Sequence, residues 1–324
     1  MNHEPSFWTD FPETAGDLKK VSAIIEETCA SQNPVVKEGL SGLFDGNGKL
    51  LRPGLLLIAA GFGRKQEKHY KLAACLEMLH TATLIHDDVI DDSPLRRGLP
   101  AVHARFGKQD AVLIGDYLLS KCFLLAAEYT SPQNAVYLAR LMSRMCAMEI
   151  EQHASRFVSD LGLRRYLRKI MGKSAILFTL ACHVGADEAK AARQTTERLR
   201  RAGYNIGMAF QIIDDILDYA GDPSTLRKPL GNDIKEGLVT LPLIAAVSRD
   251  ETGGLKALFS KPSFTVEDGN EIMSLVKASK GVDVAYSFAE VYTNRALREI
   301  SLLPKGQGQR ALEKIAKRLL IRDT

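Results

Sequence analysis

The chain has 324 residues, 45% of them hydrophobic, enough to bury one large core or two modest ones. Its 43 basic and 39 acidic residues leave a formal charge of +4 and a pI near 8.7, too mild for a nucleic-acid footprint or a polybasic membrane anchor. Five widely spaced cysteines with no C-x-x-C pair argue against a disulfide framework or a zinc site, and reduced thiols in a cytoplasmic protein fit them.

The first residues carry Glu4, Asp10 and Glu13 where an export signal needs a basic start and an apolar run. They read as a short N-terminal extension, 1–16, ahead of one helical domain, 17–324. From about Pro34 onward helical periodicity dominates and no alternating strand stands out, so the expected fold class is all-α, a single-domain helical bundle. The spacing predicts helices over Lys49–Ala60, Leu72–Ser93, Ala111–Glu128, Asn134–Ser159, Leu163–His183, Asp187–Tyr219, Leu241–Arg249, Val266–Ala278, Val282–Leu302 and Gln309–Leu320. Gly- and Pro-rich breaks such as "FDGNG", "DSPLRRGLP" and "GDPSTLRKPLGND" separate them. No apolar run approaches the roughly 20 residues that span a bilayer.

Two acidic stretches interrupt these apolar helices. In "HDDVIDD", Asp87 and Asp91 lie four residues apart and share a helix face, with Asp88 and Asp92 forming a similar pair a quarter-turn round. Like charges at that spacing repel, so a cation is their natural compensation. The second stretch, "FQIIDDILDYAGD", repeats the pattern with Asp214, Asp215 and Asp218, and there Gly207, Gln211, Asp214 and Asp218 fall on one face. A solvated acidic helix end accounts for either stretch alone; two such faces suit a shared cavity. Carboxylates without Cys and with few His fit hard Mg²⁺, which keeps several waters and is shared with phosphate oxygens, so the implied substrate is a diphosphate. Arg96 and Arg97 of "PLRRG" follow the first cluster as its cationic counterpart.

In these residues the sequence resembles the trans-polyprenyl diphosphate synthases of the all-α isoprenoid synthase family. "LEMLHTATLIHDDVIDDSPLRRG" is similar to the family's first aspartate-rich motif, and "FQIIDDILDYAGD" with "KPLGNDIKEGLVTLPLI" to its second. "GNGKLLRP" and "MGKSAILF" add to the likeness, which runs from about Gly46 to Leu243. The resemblance implies a bundle around a catalytic cavity, with Asp87, Asp91 and Asp214, and more weakly Asp218, binding Mg²⁺ and Asp88 and Asp215 supporting them. It implies that Lys49, Arg52, His80 and Arg97 hold isopentenyl diphosphate. Arg96, Lys173 and Gln211 would act in catalysis by holding the allylic diphosphate, together with Ser174 and Lys228. The expected reaction is Mg²⁺-dependent ionisation of the allylic diphosphate, attack by the double bond of isopentenyl diphosphate and loss of a proton, for which the departing diphosphate serves as base. A homodimer is implied, with the product handed to a membrane.

In this family the residues four and five positions before the first Asp-Asp face the growing chain; here they are Thr83 and Ala82. Their small size implies a product longer than fifteen carbons, of the length used for quinone side chains, stopped deeper by residues such as Phe123, Met142, Met145 or Met148. Three positions depart from the family pattern: Leu50 where many relatives have Arg, Met148 where Gly commonly precedes Glu, and Leu238 in place of a frequent Lys. The alternatives are a geranylgeranyl or short-chain synthase, and an inactive isoprenoid-binding subunit that needs a partner.

Overall fold

The computed structural model describes residues 6–44, 48–96, 98–156, 162–221, 230–261 and 265–321. By packing, the chain forms two compact units: the first from residues 1–139, 177–200 and 303–312, the second from 140–176, 201–302 and 313–324. Both are helical. Strand is confined, among the described residues, to a two-residue pair, Leu95–Arg96 antiparallel to Leu99–Pro100, which reverses the chain just after the first acidic stretch. No helix among the described residues is long and apolar enough to cross a membrane.

The first unit is organised by the helix Glu67–Ile90. From His69 to Ala82 it is buried all round except at Lys71 and His80, which explains its weak amphipathic signal in the sequence. Its start is fixed by polar groups. The Gln66 backbone N–H donates to Nδ1 of the fully buried His69 at 2.9 Å, and Lys68 pairs with Glu188 at 2.6 Å. Glu188 also accepts from the Ser131 backbone N–H and the Asn134 amide, both at 2.7 Å. Burial opposes the Glu188 charge, but those donors outweigh it and hold its pKa down at about 2.

Along its length this helix packs on Lys108–Tyr129. There the buried thiols of Cys75 and Cys122 each donate to the other's backbone carbonyl, at 3.3 and 3.4 Å. Gly115 permits the close approach, since a Cβ there would stand 2.2 Å from Nε2 of His86.

The described part of 1–16 is packed rather than set apart. Ser6–Trp8 forms a turn of 3₁₀ helix and Pro12 opens a helix that runs to Cys29, with Pro at its first turn. Trp8 is fully buried against Gly54, where a Cβ would meet the indole at 2.3 Å, and its Nε1 donates to the Lys49 carbonyl. The sequence reading missed this because the apolar anchor is one aromatic triad, Phe7, Trp8 and Phe11, with no helical period of its own.

The predicted helix Leu163–His183 begins, in the second unit, as Leu163–Ile170 and passes through one π turn, Met171–Ala175; the helix Ile176–Glu188 follows in sequence. Tyr166, Ile170 and Ala175 pack on Met208, Ile212, Ile213 and Ile216 of the helix Arg193–Ala220, with Leu241, Ala285, Ala289 and Tyr292 closing the cluster. A second cluster joins Tyr219, Ile234 and Leu243 to Phe259, Ile272 and Val276.

Candidate active site

The first acidic stretch ends the helix Glu67–Ile90, with Asp91 as its C-cap. Asp87 and Asp91 are half-buried and one turn apart, the Asp91 N–H closing on the Asp87 carbonyl at 2.8 Å. Asp88 faces elsewhere: it is 4% exposed, and the Arg96 guanidinium grips it, Nε donating to both carboxylate oxygens at 3.0 Å and a terminal nitrogen to one of them. Burial works against the Arg96 charge, yet the bonds to Asp88 and the attraction of Asp88, Asp87 and Asp91 prevail and raise its pKa. The strand pair Leu95–Arg96 and Leu99–Pro100 therefore returns an arginine to the carboxylates that precede it. A cavity of about 290 Å³ lies beside this pair, lined by Thr81, Leu84, Ile85, Asp88, Arg96 and Val102 among others.

Asp92 has the left-handed backbone conformation, φ 53°, and its exposed carboxylate pairs with Lys108 at 2.8 Å, so it marks the exit from the helix. Arg52 is 8% exposed with its guanidinium 4.9 Å from the centre of the Phe178 ring, while Lys49 and His80 are half-buried. Leu50 caps the helix Leu51–Ala60 in the left-handed region, φ 46°. Ala82 is fully buried and presents no surface to solvent; Thr83 is partly exposed, its hydroxyl turned back to the His80 carbonyl at 2.8 Å. Arg97 and Lys228, both expected to hold diphosphate, lie outside the described residues.

The second acidic stretch ends the helix Arg193–Ala220 and divides its carboxylates differently. Asp214 is half-buried. Asp215 is 6% exposed and accepts from the Tyr166 hydroxyl at 2.6 Å and the Gln211 amide at 2.8 Å; the Gln211 carbonyl in turn accepts from the Ser174 hydroxyl. Burial raises the Asp215 pKa against those donors and the nearby Lys169.

Asp218, expected as a weaker Mg²⁺ ligand, is 1% exposed, and its two oxygens accept the backbone N–H groups of Asn232, at 3.2 Å, and Asp233, at 3.0 Å. These bonds anchor the short helix Asn232–Lys235, whose first N–H groups need an acceptor. Gln211 and Ser174, expected at the allylic diphosphate, are both buried and bonded to each other.

Lys173 is exposed on the π turn. One turn earlier, the sequence reading passed over Lys169. Burial and repulsion from Lys173 lower its pKa, against attraction from Asp215, Asp233 and Glu149. Tyr166 was also missed, since nothing in its local pattern points 49 residues ahead to Asp215. Met148 packs on Gly172, where a Cβ would stand 2.3 Å from its sulfur, and Leu238 is 5% exposed, an apolar residue in an apolar place.

Among the described residues no three carboxylate, imidazole or thiol groups converge to hold a metal on their own. Half-buried carboxylates in ones and twos fit Mg²⁺, whose remaining positions go to water and phosphate oxygens.

Residues 33–276 match the polyprenyl synthetase family. The heptaprenyl diphosphate synthase component 2 of Geobacillus stearothermophilus is 35% identical over 301 residues, 93% of this chain and 94% of that one. The all-trans-nonaprenyl-diphosphate synthase of Rhodobacter capsulatus is 36% identical over 315 residues, 95% of each. Among solved structures, the polyprenyl synthase of Caulobacter crescentus CB15 complexed with calcium and isoprenyl diphosphate superposes with a TM-score of 0.93 at 32% identity over 100% of both chains. The fold and the comparisons define a prenyltransferase with the all-helical isoprenoid synthase architecture. The chain belongs to the polyprenyl synthetase family.

Proposed function

We propose that the protein condenses isopentenyl diphosphate with an allylic prenyl diphosphate to make a long all-trans polyprenyl diphosphate for quinone side chains. The observation that carries this reading is the helix end at Asp87–Asp91, where two half-buried carboxylates sit beside an arginine already clamped in place by Asp88. Such an end offers oxygen ligands and a cation to the same anion. The relatives named for heptaprenyl and nonaprenyl products support the long chain, as does the absence of a bulky side chain at Thr83.

Asp87, Asp91 and Asp214 would hold Mg²⁺, which when bound supplies neutralisation of the leaving diphosphate. Arg96 and Lys173 put fixed positive charge on the allylic diphosphate as its carbon–oxygen bond ionises. Lys49, Arg52, His80 and Arg97 orient isopentenyl diphosphate so that its double bond reaches the cation; Lys228 completes the allylic site. Asp88 keeps Arg96 extended, and Gln211 and Ser174 keep the π turn in register. The proton lost at the end goes to the departing diphosphate.

The working form is a cytoplasmic homodimer in this reading. Val112, Leu113, Phe123 and Leu124, exposed along the helix Lys108–Tyr129, support a contact between chains, and four buried thiols without disulfides support a reducing compartment. A second reading, that activity needs a different partner chain, draws on the Geobacillus relative's designation as component 2. Purified protein incubated with Mg²⁺, farnesyl diphosphate and labelled isopentenyl diphosphate tests both. Products longer than twenty carbons from the single chain support the first reading; only twenty-carbon product points to a geranylgeranyl synthase, and no turnover until a second protein is added supports the partner reading.

A further inference from the structure

The hydroxyl of Tyr166 has no packing reason to exist. Its ring is 1% exposed in an apolar cluster with Ile170, Ile212, Ile213 and Ile216, where phenylalanine would fill the same volume. Instead the hydroxyl donates to Asp215, a carboxylate that burial disfavours and that an apolar residue would replace without loss of stability in many proteins. Stability alone does not account for the pair; the geometry it imposes does.

Tyr166, Ile170 and Ser174 stand at i, i+4 and i+8 across the Leu163–Ile170 helix and its π turn, and the two polar members of that row dock on the helix Arg193–Ala220. Tyr166 meets Asp215 at one end, and Ser174 meets Gln211, four residues before Asp215, at the other. Gln211 closes the row by donating to Asp215 at 2.8 Å, which fixes which way its amide points: its nitrogen is committed to Asp215 and its oxygen to Ser174. Each anchor adjoins a group assigned to the diphosphate site. Ser174 follows Lys173 directly, and Asp215 follows Asp214. A π turn, which inserts a residue into the helical ladder and recurs at functional sites, sets Ser174 rather than its neighbour on the docking face.

We infer that Tyr166 is a positioning residue for prenyl transfer: through Asp215, Gln211 and Ser174 its hydroxyl fixes the spacing between the ammonium of Lys173 and the carboxylate of Asp214. The inference rests on the reading of Lys173 and Asp214 as allylic-diphosphate groups. Tyr166 touches no substrate in this account; it acts through the side chains it holds.

The test is a double-variant cycle in the full chain with Mg²⁺, using Tyr166→Phe, Ser174→Ala and the two together, each with kcat and KM for the allylic and the isopentenyl substrates and with Tm. Removing one hydrogen bond to a charged group should lower kcat/KM for the allylic substrate roughly 10- to 100-fold in Tyr166→Phe. The KM for isopentenyl diphosphate should move little. The combined variant should lose no more than the worse single one, because both break the same row, whereas a merely structural role would shift both substrates alike. Wild-type kcat/KM in Tyr166→Phe, equal effects on both substrates, or losses that multiply would overturn the inference while leaving the proposed reaction standing. A wild-type chain that transfers no prenyl group under any condition would remove the reaction and this inference with it.

Discussion

The two aspartate stretches have nearly the same letters and divide them differently. At Asp87–Asp91 the middle carboxylate is gripped by Arg96, and the outer two are half-buried. At Asp214–Asp218 the buried carboxylates are Asp215, which accepts from Tyr166 and Gln211, and Asp218, which accepts from the backbone of Asn232 and Asp233, while Asp214 is half-buried. Repetition of a motif does not repeat its chemistry. How deeply each carboxylate is engaged by these bonds is decided by donors that arrive from elsewhere in the chain.

Several substitutions sharpen this contrast. The largest effect is expected where the carboxylate keeps its surface: Asp87→Ala and Asp214→Ala should each cut turnover by about three orders of magnitude with helical content unchanged by circular dichroism. Next comes stability away from both stretches. Glu188→Gln should cost about 2–3 kcal/mol near neutral pH by chemical denaturation, since it removes the acceptor for Lys68 and weakens those for Asn134 and Ser131. The folded pKa of Glu188 lies below its ordinary value, so its stabilisation is complete above the unfolded carboxylate pKa, and the gap between wild type and variant should close as pH falls from there toward about 2.

The chain-length positions separate in the same way. Ala82→Phe overpacks a closed site and should cost about 1–3 kcal/mol with loss of folded protein, whereas Thr83→Phe has open surface and should shorten the product with little change in Tm. Smallest, Leu50→Gly relieves a left-handed leucine and should raise stability by up to about 1 kcal/mol in a thermal melt.

The fold was largely legible in the sequence because apolar periodicity is local. Val266–Ala278 runs as predicted to the residue, and Lys108–Tyr129 and Gly281–Ser301 differ from expectation by only a few residues at their ends. Glu67–Ile90 begins five residues earlier than expected, since its first turn is polar and is held by His69 and Glu188 rather than by an apolar face. The helices Pro34–Leu40, Val102–Phe106 and Gly254–Phe259 were too short to show a period. The π turn at Met171–Ala175 has no sequence signature separate from the helix around it. In the candidate site the residue types were legible, but the bonds that join them were not. The bonds of Arg96 to Asp88 and of Asp218 to the backbone of Asn232 and Asp233 join residues that no local pattern links.

The most direct test of that division compares Asp214→Asn with Asp218→Asn, following the Mg²⁺ dependence of turnover and the Tm of each. Asp214→Asn should lose turnover and raise the Mg²⁺ concentration needed for half-maximal rate at an unchanged Tm, while Asp218→Asn should lower Tm and leave the Mg²⁺ dependence of the folded fraction as in wild type. The reverse pattern, a normal Mg²⁺ response in Asp214→Asn and a shifted one in a fully stable Asp218→Asn, would contradict the account.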